Sequence, residues 1–172
     1  MPLYLDACAF AKRYLNEGVS TSRMREITGR FNRWGGFVVS SFVEPEVISA
    51  IAKYARNTEH PILRAHYLAK HSSVVEVFRR DLSKAAFTIV YLSDELVEDA
   101  ANLLKSHPEY EIGAADAVHL VTALEIRPKV APPLVFVTAD NGLERAAKAE
   151  GLITLNPLRD GVDALERIVS QL

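Results

Sequence analysis

Four carboxylates stand where secondary-structure elements would end or begin. Asp6 closes the apolar run Leu3-Tyr4-Leu5. Glu46 lies in SSFVEPEVISA, early in a stretch with helical spacing. Asp116 lies in IGAADAVHLVTAL and Asp140 in LVFVTADNGLERAA. In a parallel α/β sheet the strand C-termini share one edge, and ligands bind there. Acids gathered at that edge would repel one another unless something positive sat among them. A hard divalent cation such as Mg²⁺, bound through oxygen, meets that need with few protein ligands. The sequence has no Cys/His cluster for zinc. It also has neither GxxxxGK[ST] nor GxGxxG, which weakens nucleotide-binding readings. Each acid has a plainer reading too. Asp6 and Asp140 suit helix N-caps, and Glu46 suits a first helical turn beside Pro45. Asp116 is embedded in small and apolar residues, which predicts burial, and no cap role is evident for it.

Five runs read as the strands that would carry these acids: Leu3–Leu5, Phe37–Val39, Thr88–Tyr91, Leu134–Val137 and Ile153–Leu155. Helical spacing covers Val43–Ala55, Asp94–Leu104, Ala114–Leu124 and Asn141–Ala149, the last stopped by Gly151. The alternation predicts a parallel sheet with helices on its faces. Two charged segments, Ser20–Trp34 and Pro61–Lys84, read as helices forming a pair outside the sheet. Arg127-Pro128 and Pro132-Pro133 mark a loop before the fourth strand.

At 172 residues, a single domain over 1–172 is the expectation. Cys8 is the one cysteine, which fits a reducing cytoplasm. No signal peptide and no membrane span are expected. The net charge of −2 conceals an asymmetry. Residues 1–84 hold 13 Lys and Arg against 8 Asp and Glu; residues 85–172 hold 7 against 14. A basic half beside an acidic half suggests a polyanionic partner held near an acidic centre.

The chain resembles the PIN-domain nucleases, in particular the VapC-type toxins of toxin–antitoxin pairs. The matching pieces are YLDACAFAKRYL, VVSSFVEPEVISAIAK, GAADAVHLVTAL and FVTADNGLERAAKAEGL followed by LNPL, in the family's order. The resemblance implies a three-layer α/β/α fold around a parallel sheet of about five strands, with the added helical hairpin described above. It implies that Asp6, Glu46, Asp116 and Asp140 are the catalytic, metal-holding quartet, with Glu46 rather than Glu44 in the family position. It implies one or two Mg²⁺ or Mn²⁺ ions and cleavage of RNA. Thr138 matches a hydroxyl often kept beside the last acid, and Asn141 fills the place of a further acid or amide. Cys8 departs from the family's Ser or Thr, and a thiol is a weaker hydrogen-bond partner. His119, three residues after Asp116, reads as a residue that hydrogen-bonds locally rather than as a general base.

The expected function is a metal-dependent endoribonuclease, the toxin of a type II pair. Lys12, Arg13, Lys53 and Arg56 would position the RNA backbone. The expected partners are an RNA substrate, a small antitoxin and a second copy of the chain. The antitoxin would fill a groove between the two charged segments, on Ile27, Phe31, Trp34, Ile62, Leu63, Tyr67, Val77 and Phe78. The alternatives are a catalytically silent nucleic-acid-binding or scaffold protein of the same fold, and a phosphatase or receiver-like domain built on an acid at a strand end; a receiver would want two acids at the end of its first strand.

Overall fold

The computed structural model describes residues 1–131 and 133–171; Pro132 of the expected loop and the Phe31 side chain lie outside that description. Its centre is a parallel sheet of β1 (Leu3–Leu5), β2 (Phe37–Ser40), β3 (Phe87–Val90), β4 (Val135–Val137) and β5 (Ile153–Leu155), in the order β3-β2-β1-β4-β5. β1 pairs on both sides, Leu3 with Phe37 of β2 and with Val135 of β4. The chain thus winds outward in two directions from β1 and β4. The crevice between them is a topological switch point, where sheets of this kind bind ligands.

The central strands are buried on both faces, so they read as continuous apolar runs. Successive side chains still point to opposite layers. Leu3, Leu5, Val135 and Val137 join one core, while Tyr4 and Phe136 join the other. The first layer holds α1 (Ala7–Ala11), α2 (Val19–Gly29), α3 (Phe31–Trp34), α4 (Val43–Asn57), α5 (Pro61–Leu82) and α9 (Val162–Ser170). The second holds α7 (Ala114–Ile126) and α8 (Asn141–Ala149), with α6 (Asp94–Ser106) packed outside α7. Helices α4, α6, α7 and α8 start at the predicted residues.

The two charged segments behave differently from expectation. Ser20–Trp34 is not outside the sheet. It breaks after Gly29 into α2 and α3, and Met24, Ile27 and Trp34 are fully buried in the first-layer core. The Trp34 indole donates at 3.0 Å to the Ile27 carbonyl, which also accepts from the Arg30 N–H where α2 ends. The hairpin is formed instead by α4 and α5, which pack along each other. Phe78 of α5 reaches the core, but the first ten residues of α5 are exposed apart from Tyr67. Helix α9 is not among the helices expected from the sequence; it buries Val162 and Leu165.

Candidate functional site

Asp6 leaves β1 and becomes the N-cap of α1. Its Oδ1 accepts from the Ala9 N–H at 2.7 Å and its Oδ2 from the Thr138 hydroxyl at 2.7 Å. The Cys8 thiol donates to the same carboxylate, 3.0 Å from Oδ2. Burial raises the pKa of Asp6; the charge of His119 and these hydrogen bonds oppose the rise. Thr138 also accepts from the Asp140 N–H at 3.0 Å, so one hydroxyl ties the ends of β1 and β4 together. Cys8 is open to solvent on one side. The atoms crowding its other side and the Asp6 carboxylate push its thiol pKa well up, so it stays a neutral donor.

Asp140 caps α8, with Oδ1 accepting from Leu143 N–H at 2.8 Å. Asp116 sits at the third position of α7, and its Oδ2 accepts from Gly113 N–H at 2.9 Å. The acid for which no cap role was evident therefore has one, because it reaches back to the residue before its own helix. Asp116 is half-buried rather than enclosed. Its pKa is raised by burial and by the charges of Asp140 and Glu46, against the Gly113 hydrogen bond and His119. Asp116 thus feels the charges of both Asp140 and Glu46.

Glu46 enters from α4 and is held by His119. The Nε2–Oε2 distance is 2.6 Å, and the other ring nitrogen, Nδ1, lies 3.0 Å from the Tyr4 hydroxyl. His119 is 2% exposed, and its partners lie 73 and 115 residues away in sequence. Its bonding is long-range, not local as expected. The signal in the sequence was a buried-looking imidazole one turn after an acid, but no spacing rule connects residue 119 to residue 46. Glu44, by contrast, pairs with Arg79.

Both oxygens of Asp6 are engaged, but each of the other three acids keeps one oxygen to spare. Glu46 Oε1, Asp116 Oδ1 and Asp140 Oδ2 accept no hydrogen bond among the described residues. Among the described residues, no three His, Cys, Asp or Glu side chains are drawn together as tightly as a bound ion would hold them. The donor set is nonetheless all oxygen, anionic and mutually repelling, which suits a hard divalent cation and offers nothing to a soft one.

The supporting residues divide. Asn141 accepts from Asn156 Nδ2 at 3.1 Å, and Asn156 also donates to the buried Glu144. Lys12 pairs with Glu17, and Lys53 and Arg56 are exposed. A groove of about 410 Å³ runs from Cys8 past Lys12 and Lys53 to Tyr54. Arg13 is engaged elsewhere. It pairs with Asp81 at 3.1 Å and donates to Thr28 at 2.6 Å.

The fold has solved relatives. VapC20 of Mycobacterium tuberculosis, described as a sarcin-ricin loop cleaving toxin, matches with a TM-score of 0.60 at 14% identity, over 84% of this chain and 94% of its own. VapBC2 of Rickettsia felis, solved with a DNA fragment from its promoter, matches with 0.57 at 17% identity, over 91% and 98%. FitAcB of Neisseria gonorrhoeae matches with 0.52 at 16% identity, over 92% and 99%. No curated protein matches in sequence. The PIN domain itself matches residues 3–149, and with that span, this sheet order and this rim of acids, the chain belongs to the PIN-domain family.

Proposed function

We propose that the chain is a metal-dependent endoribonuclease acting as the toxin of a type II toxin–antitoxin pair. The observation that carries this reading is the rim itself: four acids from β1, α4, α7 and the end of β4, three of them with an oxygen to spare. Asp6, Glu46, Asp116 and Asp140 would hold Mg²⁺ or Mn²⁺. When bound, such an ion lowers the pKa of water and offsets charge on the leaving oxygen. The chain's own residues do the positioning. Thr138 and the N-terminus of α1 fix Asp6, and the starts of α7 and α8 fix Asp116 and Asp140. Lys12 and Lys53 line the adjoining groove and would hold the phosphodiester backbone, with Arg56 further along α4. Water would attack phosphorus in line, and the P–O ester bond opposite would break.

The likeness to VapC20 supports RNA as the substrate class. The likenesses to VapBC2 and FitAcB support a small antitoxin partner. A groove of about 600 Å³ does lie between α2 and α5, but with a lining other than the expected one. Ile27, Trp34 and Phe78 are buried, and Ile62 and Leu63 stand beyond it. Arg13, Arg25, Lys70, Val74 and Val77 face it instead, which suits an amphipathic segment with acidic residues. We place a second copy of the chain among the partners as well. No described helix is long and apolar enough to cross a membrane.

Incubation of the purified protein with end-labelled RNA tests the reading. Cleavage is expected with Mg²⁺ or Mn²⁺, is lost with EDTA, and does not return with Ca²⁺, whose shell is larger and looser. Cleavage that survives thorough chelation would remove the metal from the reaction. A protein that binds RNA but cuts none, with Mn²⁺ present, would make it a silent module.

A further inference from the structure

Three of the four rim acids are fixed by their immediate neighbours. Asp6, Asp116 and Asp140 each accept from a backbone N–H three residues away. Glu46 is different. It has a longer side chain on α4, in the opposite layer from α7, and the described hydrogen bond to its carboxylate comes from His119. A carboxylate can only accept, so Nε2 carries a hydrogen and donates to Glu46, while Nδ1 meets the Tyr4 hydroxyl at 3.0 Å. Tyr4 cannot easily swing away. It is fully buried in β1 and stacked on Phe136 of β4, with centroids 5.2 Å apart and planes at 8°. The chain of contacts runs from the two central strands, through α7, to an acid on α4.

We propose that His119 and Tyr4 are positioning residues for Glu46, fixing its carboxylate so that Oε1 is presented to the metal site. The proposal rests on the metal-dependent reading above. Tyr4 fixes the orientation of the His119 ring, and His119 sets the rotamer of Glu46. A free glutamate here would have to be ordered by the ion itself, at a cost in side-chain entropy. Partners of this outer kind typically tune metal affinity by about 10–100-fold. Both residues also fill the core, so the test must separate positioning from packing.

The experiment is Mn²⁺ titration of the full chain, followed by electron paramagnetic resonance, with circular dichroism to confirm folding. His119→Leu should weaken Mn²⁺ binding by about 10-fold or more, and Tyr4→Phe by about 3-fold or more. His119→Gln, whose amide can still donate to Glu46, should stay within about 3-fold of the parent. Glu46→Gln should weaken binding, and adding His119→Leu to it should change nothing further, because the pair acts only through Glu46. Parental affinity in a folded His119→Leu variant overturns the proposal. So does an equal loss from His119→Leu with and without Glu46. If His119→Leu does not fold, Tyr4→Phe decides, and parental affinity there overturns it. A parent that binds no Mn²⁺ removes the metal reading and the pair with it; a parent that binds, with variants that bind equally, removes the pair alone.

Discussion

Asp116 uses one oxygen locally: Oδ2 closes the start of α7, and Oδ1 accepts no hydrogen bond among the described residues. Burial raises the pKa of Asp116, helped by the Asp140 and Glu46 charges, and burial raises that of Asp6. A raised carboxyl pKa means that the folded chain binds the proton more tightly than the unfolded chain does. Stability from this source is fully present below the ordinary carboxylate range and is lost as pH rises through the raised values. Near neutral pH both acids therefore oppose folding unless a cation joins them. Mn²⁺ should raise the melting temperature at pH 7, and the rise should shrink as pH falls toward the carboxylate range, where protons compete for the same oxygens. Asp116→Asn keeps an oxygen to accept from Gly113 and removes the charge. It should fold at least as stably as the metal-free parent at pH 7, lose the Mn²⁺ shift, and cut RNA at least about 100-fold more slowly. Thermal melts and single-turnover cleavage measure these; a variant with parental cleavage would remove Asp116 from the site.

Behind the rim, the joint between α8, β5 and α9 is built on one buried acid. Glu144 of α8 is 4% exposed and accepts from Arg159, from Lys148 at 2.6 Å, from Asn156 and from Thr154. Arg23 of α2 donates to the carbonyls of Pro157 and Leu158 in the same loop. Burial alone would raise the pKa of Glu144, but Arg159, Lys148 and Asn156 outweigh it and lower it to about 2. The lowered value stabilises the fold above the ordinary glutamate pKa, and that contribution is lost as pH falls toward 2. Glu144→Gln should cost on the order of 2–3 kcal/mol at pH 7 and close to nothing near pH 2. Urea unfolding at the two pH values measures it, and an equal cost at both would assign the effect to packing instead. This joint was not legible in the sequence. Asn156 was visible only as part of LNPL, and Glu144 resembled any acid on an amphipathic helix. The strands were legible because two-sided burial writes apolar runs such as Val135–Val137. The rim positions of Asp6 and Asp140 were legible because a strand end fixes them. Sequence spacing cannot show that α5 pairs with α4 rather than with α2, or that His119 reaches Glu46, because both depend on which helices share a layer.

At the scale of the molecule, the charge asymmetry of the sequence becomes a spatial one. Helices α1 to α5, from the basic half, occupy one face of the sheet with α9 from the acidic half, and α6 to α8, also from the acidic half, serve the other. The acids of the rim lie where the layers meet, beside the Lys12 and Lys53 groove on the basic side. Two other features of that layer present apolar side chains to solvent. The groove between α2 and α5 exposes Val77 between Arg25 and Lys70, and the outer part of α5 exposes Ile62, at 74%, with Leu63 and Leu68. They lie on different stretches of α5, so antitoxin binding and self-association should be separable. Val77→Glu removes an apolar anchor and sets a negative charge where an acidic segment would lie. Burying such a side chain contributes about 1.5–3 kcal/mol, so antitoxin affinity should fall by at least about 10-fold. RNA cleavage by the isolated protein should be unchanged, because Val77 lines the α2–α5 groove and not the Lys12–Lys53 groove beside the rim. Leu68→Glu should shift a dimer toward monomer and leave antitoxin binding in place. Light scattering at high concentration and co-purification with a candidate antitoxin measure both. A parent that stays strictly monomeric would remove the dimer, and a Val77→Glu variant that co-purifies as fully as the parent would move the antitoxin to another surface.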